Sequence, residues 1–334
     1  MAAAIALFAL FLLFVANITW GSVDIPSGEV LSILFGGGSG NEVWNMIVLE
    51  SRLPQALTAM LAGASISVAG LLLQTLFRNP LAGPEVLGIN SGAGLGVAVV
   101  MLVSQGTIFA GSETLGGHMA ILAGAFMGAA FIMAIILFLS FFLKNNMFLL
   151  IAGVAVSYIT SSVVSLLNYS ATSEGVHSFM VWGMGSFGAV TMEQMSLFAP
   201  LLLVMMGGSL LLVKHLDAMM LGDVYARNLG VNVSLVRVSA LVITGMLTSV
   251  VTAYCGPVAF IGLAVPHIAR LLLGSNSHKW LLPAVILIGG SVALLCNLVC
   301  QLPGESGLLP LGAVTPLIGA PVIIYVVLRS RKSV

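Results

Sequence analysis

The chain has 334 residues, 59% of them hydrophobic and 7% charged, with a mean hydropathy of +1.15 and a formal net charge of zero. Such a composition excludes a water-soluble domain and offers no basic excess for nucleic acid. It describes an all-α polytopic membrane protein, read as a single transmembrane domain over 1–334 with no low-complexity tract or internal repeat.

About 20 apolar residues are needed for a helix to cross the hydrocarbon core. In chain order the candidate runs fall at about 3–20, 53–76, 86–103, 118–143, 147–168, 196–213, 238–256, 258–273, 281–301 and 308–328. The first lacks a basic n-region and an A-x-A-like site, so it is read as a span and not as a signal peptide. Between it and the second, 21–51 is long enough for a structured cap, in which Asn41 followed by Glu42 to Glu50 reads as a short helix leading into Arg52-Leu53-Pro54. A second cap is expected at 169–195. On the opposite side one connection is long, Lys214 to Arg237, and a cytoplasmic partner is expected there.

An even number of spans puts both termini on one side. If that side is the cytoplasm, it collects Arg78, Lys144, Lys214, Arg227, Arg237, Arg270, Lys279, Arg329, Arg331 and Lys332, leaving only Arg52 outside. This is the positive-inside pattern. The acids lean the other way: Asp24, Glu29, Glu42, Glu50, Glu113, Glu174, Glu193 and Glu305 fall outside, against Glu85, Asp217 and Asp223 inside. A net charge of zero therefore hides a basic end and an acidic end.

What is missing narrows the class. Ion-coupled carriers place ionisable groups in mid-membrane despite their cost, yet no span carries one at its centre; His118, His267 and Arg270 lie toward the ends or read as packing residues. A phosphate-cradling loop needs Gly-Lys-Ser/Thr, and Lys144, Lys214, Lys279 and Lys332 each follow another residue. Energy for uphill transport must then enter through another subunit. Gly38-Ser39-Gly40 reads as a flexible turn, not a hydrolase elbow, the five histidines show no metal-ligand spacing, and Cys255, Cys296 and Cys300 read as small buried hydrophobes. Small residues at 63–70 and 91–96 suit close helix packing. Prolines at 257, 266, 316 and 321 mark breaks whose freed carbonyls need protein or water.

Three segments carry more than composition: Arg52-Leu-Pro-Gln-Ala-Leu with Gly63 to Gly70, Arg78-Asn-Pro-Leu-Ala82 and Leu87-Gly-Ile-Asn-Ser-Gly92; Leu221-Gly-Asp-Val-Tyr-Ala-Arg-Asn-Leu-Gly230; and Gly256-Pro-Val-Ala-Phe-Ile-Gly-Leu-Ala-Val-Pro-His-Ile-Ala-Arg270 with Gly312 to Pro321. In order and spacing, from about residue 45 onward, they resemble the FecCD-type permeases of type II ABC importers for iron chelates, haem and cobalamin. That resemblance implies ten helices per subunit and a second permease subunit, in a homodimer or sometimes a heterodimer. It also implies two cytoplasmic ATPase subunits that bind the ATP and Mg, and a periplasmic or lipid-anchored binding protein that delivers the chelate. No cofactor is expected on this chain, which would sit among the lipids of a bacterial cytoplasmic membrane. The competing readings are an exporter or ion-coupled carrier and a non-transporting scaffold.

The resemblance also assigns roles. Leu221, Gly222, Asp223, Ala226, Arg227 and Gly230 match the coupling-helix pattern, and independently Asp223 suits a helix start while Gly230 suits a left-handed helix end. Asn145 and Asn146, in the turn Lys144 to Met147, correspond to the inner gate. For binding-protein docking the outer candidates are Glu50, Arg52, Glu174 and Glu193. Many relatives carry arginine at the position of Gln55, and cobalamin permeases carry another near that of Gln301, so only Arg52 remains to meet partner glutamates, amid an acidic surface. Met180, Met184, Met192 and Met195 are candidates for an adaptable outer lining.

Overall fold

A computed structural model describes residues 2–37, 41–103, 115–143, 145–302 and 309–330. Gly38-Ser39-Gly40, Glu113, Lys144, Glu305, Arg331 and Lys332 lie outside the described residues. Among the described residues the chain is 85% helical with no strand.

The first apolar run forms α1 (Ala2–Thr19), and the acidic cap that follows holds α2 (Ser27–Leu34) and α3 (Glu42–Met46). Asn41 caps α3, its side chain accepting the Val43 N–H. Instead of stopping, the chain winds through a π-type turn, Ile47–Arg52, into α4 (Leu53–Phe77). Pro54, which has no N–H to give the helical ladder, sits directly after this change of winding. The expected short helix and the second span are thus one continuous rod, Glu42–Phe77, of 36 residues.

A turn of 3-10 helix (Pro84–Leu87) precedes α5 (Ile89–Ala98), which continues as π-type winding to Val103; α6 (Leu115–Phe142) and α7 (Asn146–Ser170) follow. The second cap contains α8 (Ser173–Gly183) and leads to α9 (Met192–Leu211), whose start carries a full capping box between Thr191 and Gln194. Next come α10 (Val213–Met220), α11 (Asp223–Asn228), α12 (Val233–Cys255), α13 (Ile261–Leu273), α14 (His278–Gln301) and α15 (Leu311–Ser330).

Every predicted run falls on a helix. Among the described residues six of these helices are long and apolar enough to cross a membrane, and the apolar stretches Ala4–Thr19, Ile89–Leu102, Ile261–Leu273 and Leu311–Tyr325 are shorter, although α1 and α15 as helices run to 18 and 20 residues. Local chemistry explains two of the shortfalls. The third run was expected from 86, but Pro84 and Gly88, at φ 77, hold a tight turn until Ile89. The eighth was expected from 258, but Gly256 at φ 74, Pro257 and a left-handed Phe260 keep the chain non-helical until Ile261.

Helix α4 is the axis of the core, with 83% of its span window buried. Glycines set its contacts. A Cβ on Gly63 would collide with Ala293 and the Gly289 carbonyl of α14, and one on Gly70 with the Gly262 carbonyl of α13. Likewise Gly92 and Gly96 of α5 abut Gly128 and Gly124 of α6. Backbones this close gain dispersion where lipid supplies no hydrophobic drive. Two hydroxyls of α4 bond back one turn, Ser67 to the Gly63 carbonyl at 2.7 Å and Thr75 to that of Leu71 at 2.9 Å, so these two are satisfied without water. Helix α7 is the opposite case, with only 17% of its window buried.

Candidate functional site

At the basic end, the segment from α10 to the start of α12 folds back onto the ends of the long rods. Leu216 and Met219 of α10 and Ala226 of α11 are buried and seat the segment. Gly222, at φ 115, turns the chain into α11 in a conformation that a side chain would strain. At the other end the Gly230 N–H bonds the Arg227 carbonyl (2.9 Å) and the Val231 N–H bonds that of Ala226 (3.0 Å), with Gly230 at φ 81. This is a Schellman closure, as expected for that glycine.

Asp223 places its charge at the helix start, as expected, but not as a cap; its carboxylate instead bridges two guanidiniums, Arg78 at the end of α4 and Arg237 of α12, the latter at 3.5 Å. Arg78 also donates from Nε to the Met219 carbonyl at 3.1 Å. To do so it ends α4 in the left-handed region, φ 46, where glycine is usual. The short helix is thereby clamped to the most buried rod of the molecule. Its free face is apolar: Leu221, Val224, Tyr225 and Leu229 are exposed, with Arg227 beside them.

A second clamp holds α10. The Asp217 carboxylate accepts from the His278 backbone N–H (2.8 Å), from the His278 ring at Nδ1 (2.6 Å) and from the Ser277 hydroxyl (3.3 Å), while His278 Nε2 meets Thr75 Oγ1 at 2.7 Å. Burial opposes the charge on Asp217, but the bonds from His278 and Ser277 outweigh it and hold the carboxyl below its ordinary range. Arg78, Thr75 and His278 are not legible as partners of this segment because each lies far from it along the chain, whereas Arg237 lies only 14 residues beyond Asp223.

The proposed gate residues begin α7. Asn145 caps that helix through a 2.9 Å bond from the Met147 N–H, which fixes the turn and leaves its amide NH2 free of that role. Asn146 is the first helical residue.

At the acidic end Glu50, Glu174 and Glu193 are exposed. Arg52 is not. Only 5% of it is accessible, and its guanidinium donates to the carbonyls of Ile18 (3.1 Å), Thr19 (2.9 Å) and Val23. The expected docking charge is therefore a structural tie: it satisfies the orphan carbonyls where α1 ends and roofs them with the start of α4. Gln55 donates to Asn297 Oδ1 (3.0 Å), which in turn donates from Nδ2 to Asn17 Oδ1 (2.8 Å), and Gln301 reaches Gln55 at 3.5 Å. The glutamines that replace arginine thus join α1, α4 and α14 in a polar network. Of the four methionines, Met180, Met184 and Met192 are exposed and Met195 is core. The cysteines are buried and unpaired, and among the described residues no cluster could hold a metal ion.

The exposed face of α7 is lined with hydroxyls, among them Tyr158, Ser161, Ser162, Ser165 and Tyr169. A polar stripe on an otherwise apolar helix suits a wet cavity or a protein partner better than lipid.

The sequence profile of the FecCD transport family matches residues 9–329. The vitamin B12 import system permease protein BtuC of Klebsiella pneumoniae is 36% identical over 311 residues, covering 93% of this chain and 88% of the relative. The hemin transport system permease protein HmuU of Yersinia pestis is 34% identical over 302 residues, 90% of this chain and 88% of the relative. Among solved structures, an inward-facing transporter assigned to the metal-chelate ABC type superposes with a TM-score of 0.84 at 27% identity, covering 98% of both chains.

Proposed function

The chain belongs to the FecCD transport family, and on that premise we propose that it is the permease subunit of an ATP-driven importer for a large metal chelate such as a ferric siderophore, haem or cobalamin. The observation that carries the mechanism is the clamped helix α11: a rigid, apolar-faced element tied by Asp223 to Arg78 and Arg237. Pushed by an ATPase subunit, it would move α4 directly, and α4 contacts α13 and α14 through glycine faces that transmit displacement without slack. ATP and Mg belong to the two partner ATPase subunits; this chain holds the path.

In this reading ten helices cross the membrane, the four shorter ones included, and both termini lie with the basic end in the cytoplasm. Two copies pair, and the hydroxyl face of α7 borders the path between them. Asn145 and Asn146 close it at the cytoplasmic side. A binding protein docks at the acidic end, over Glu50, Glu174 and Glu193, with a surface richer in lysine or arginine than one designed to meet arginines. Without partners the purified chain should show no ATPase activity. Copurification with an ATPase subunit should be lost when Tyr225 and Leu229 are both changed to glutamate, and retention of the ATPase by that variant would contradict the assignment of α11.

A further inference from the structure

The turn Pro84–Leu87 carries an acid at an unusual depth. Glu85 accepts a backbone hydrogen bond from Phe260, the residue that begins α13. Gly262, two residues on, abuts Gly70 of α4, and seven residues at 1.5 Å each put that contact about 10 Å inside the end of the rod. The turn is therefore sunk into the apolar layer, filling the space left where α13 starts late.

At that depth Glu85 is incompletely satisfied. Its Oε2 is buried and has no hydrogen-bond partner. The side chain lines an open pocket of about 270 Å³ together with Val86 and with Val154, Ser157, Tyr158 and Ser161 of α7. Ser157 donates its hydroxyl hydrogen to the Gly153 carbonyl at 2.9 Å, so it keeps only lone pairs to offer. Tyr158 and Ser161 bring further hydroxyls to the lining, yet the Glu85 Oε2 is left without a donor. A buried carboxylate oxygen that no donor reaches is costly, and a cation that donates hydrogen bonds is its natural complement. A bare ion needs far less room: at about 30 Å³ per water the pocket would hold roughly nine.

We propose that Glu85, with Ser157 and Ser161, forms a subsite on the transport path that takes the protonated amine of a chelate, favouring cationic cargo over neutral or carboxylate-bearing cargo. The inference rests on the permease reading above and names a chemical class within it.

Ferrioxamine B and its N-acetyl derivative make a suitable pair of probes, since they share a ferric trihydroxamate and differ in one ammonium group. Equilibrium binding of each to the full-length permease in nanodiscs should favour the ammonium form about tenfold, equivalent to about 1.4 kcal/mol. In Glu85→Gln that ratio should fall to about one, with gel-filtration profile and thermal midpoint unchanged. Glu85→Asp should keep part of the preference, and Ser161→Ala should lower it about two- to threefold, an independent check if Glu85→Gln folds poorly. Equal binding of both probes by the wild type, binding of neither, or a ratio that survives Glu85→Gln would overturn the subsite. ATP-driven uptake by the wild-type complex judges the permease reading separately: uptake without charge preference removes the subsite alone.

Discussion

Removing the Asp223 carboxylate should uncouple the permease while leaving it folded. The bridge is partly exposed, with side-chain accessibilities of 41% for Arg78, 30% for Asp223 and 11% for Arg237. Exposed ion pairs are worth about 0.2–1 kcal/mol each, so Asp223→Ala should lose about 1 kcal/mol in all. On global stability that is small, a fall of roughly 2–4 °C in the thermal midpoint at most. On the clamp itself it is large, because about 1 kcal/mol shifts the ratio of docked to undocked α11 about fivefold. ATP-driven uptake in proteoliposomes should therefore drop, by at most about fivefold, at an almost unchanged midpoint. Arg78→Ala should act in the same direction, and the double variant should lose less than the sum of the two, since the two residues share one ion pair. Additive losses, or full uptake by Asp223→Ala, would refute the clamp as the transmission element.

Arg52→Gln should lower folding yield and thermal stability by about 1.5–3 kcal/mol, the scale for bonds from a charged donor, read as loss of monodisperse protein in detergent; the protein that does fold should bind its partner normally. Gly70→Ala should destabilise by about 1–3 kcal/mol through overpacking against the Gly262 carbonyl. Gly207→Ala, where no atom lies within 4 Å, should be neutral in the same thermal assay. Asn145→Cys should crosslink between two copies in the resting state, at a rate that nucleotide changes; no crosslink in any state would move the gate elsewhere.

Much of this was legible from the order of residues, for a physical reason: in lipid the backbone must satisfy itself locally, so each apolar run becomes a helix. The Gly222 to Gly230 segment was legible on the same ground, since its turns need only the φ values that glycine supplies. Long-range pairing was not. Arg52 looked like an outer charge because the carbonyls that consume it belong to residues 18–23, over 25 positions away. Asp223 looked like a helix cap because Arg78, at a separation of 145 residues, is invisible to local rules. Glu85 read as a loop acid between two spans, and only the late start of α13 draws its turn inward.

The central claim is that this chain conducts a chelate only when driven by ATP hydrolysed elsewhere. It is tested most directly by loading proteoliposomes that contain the permease, its ATPase subunits and its binding protein, and following entry of the radiolabelled metal chelate that copurifies with the binding protein. Accumulation against a gradient that requires ATP and all three components, and that survives collapse of the proton and sodium gradients, is the predicted result. Accumulation that persists without ATP and collapses with an ion gradient would contradict it.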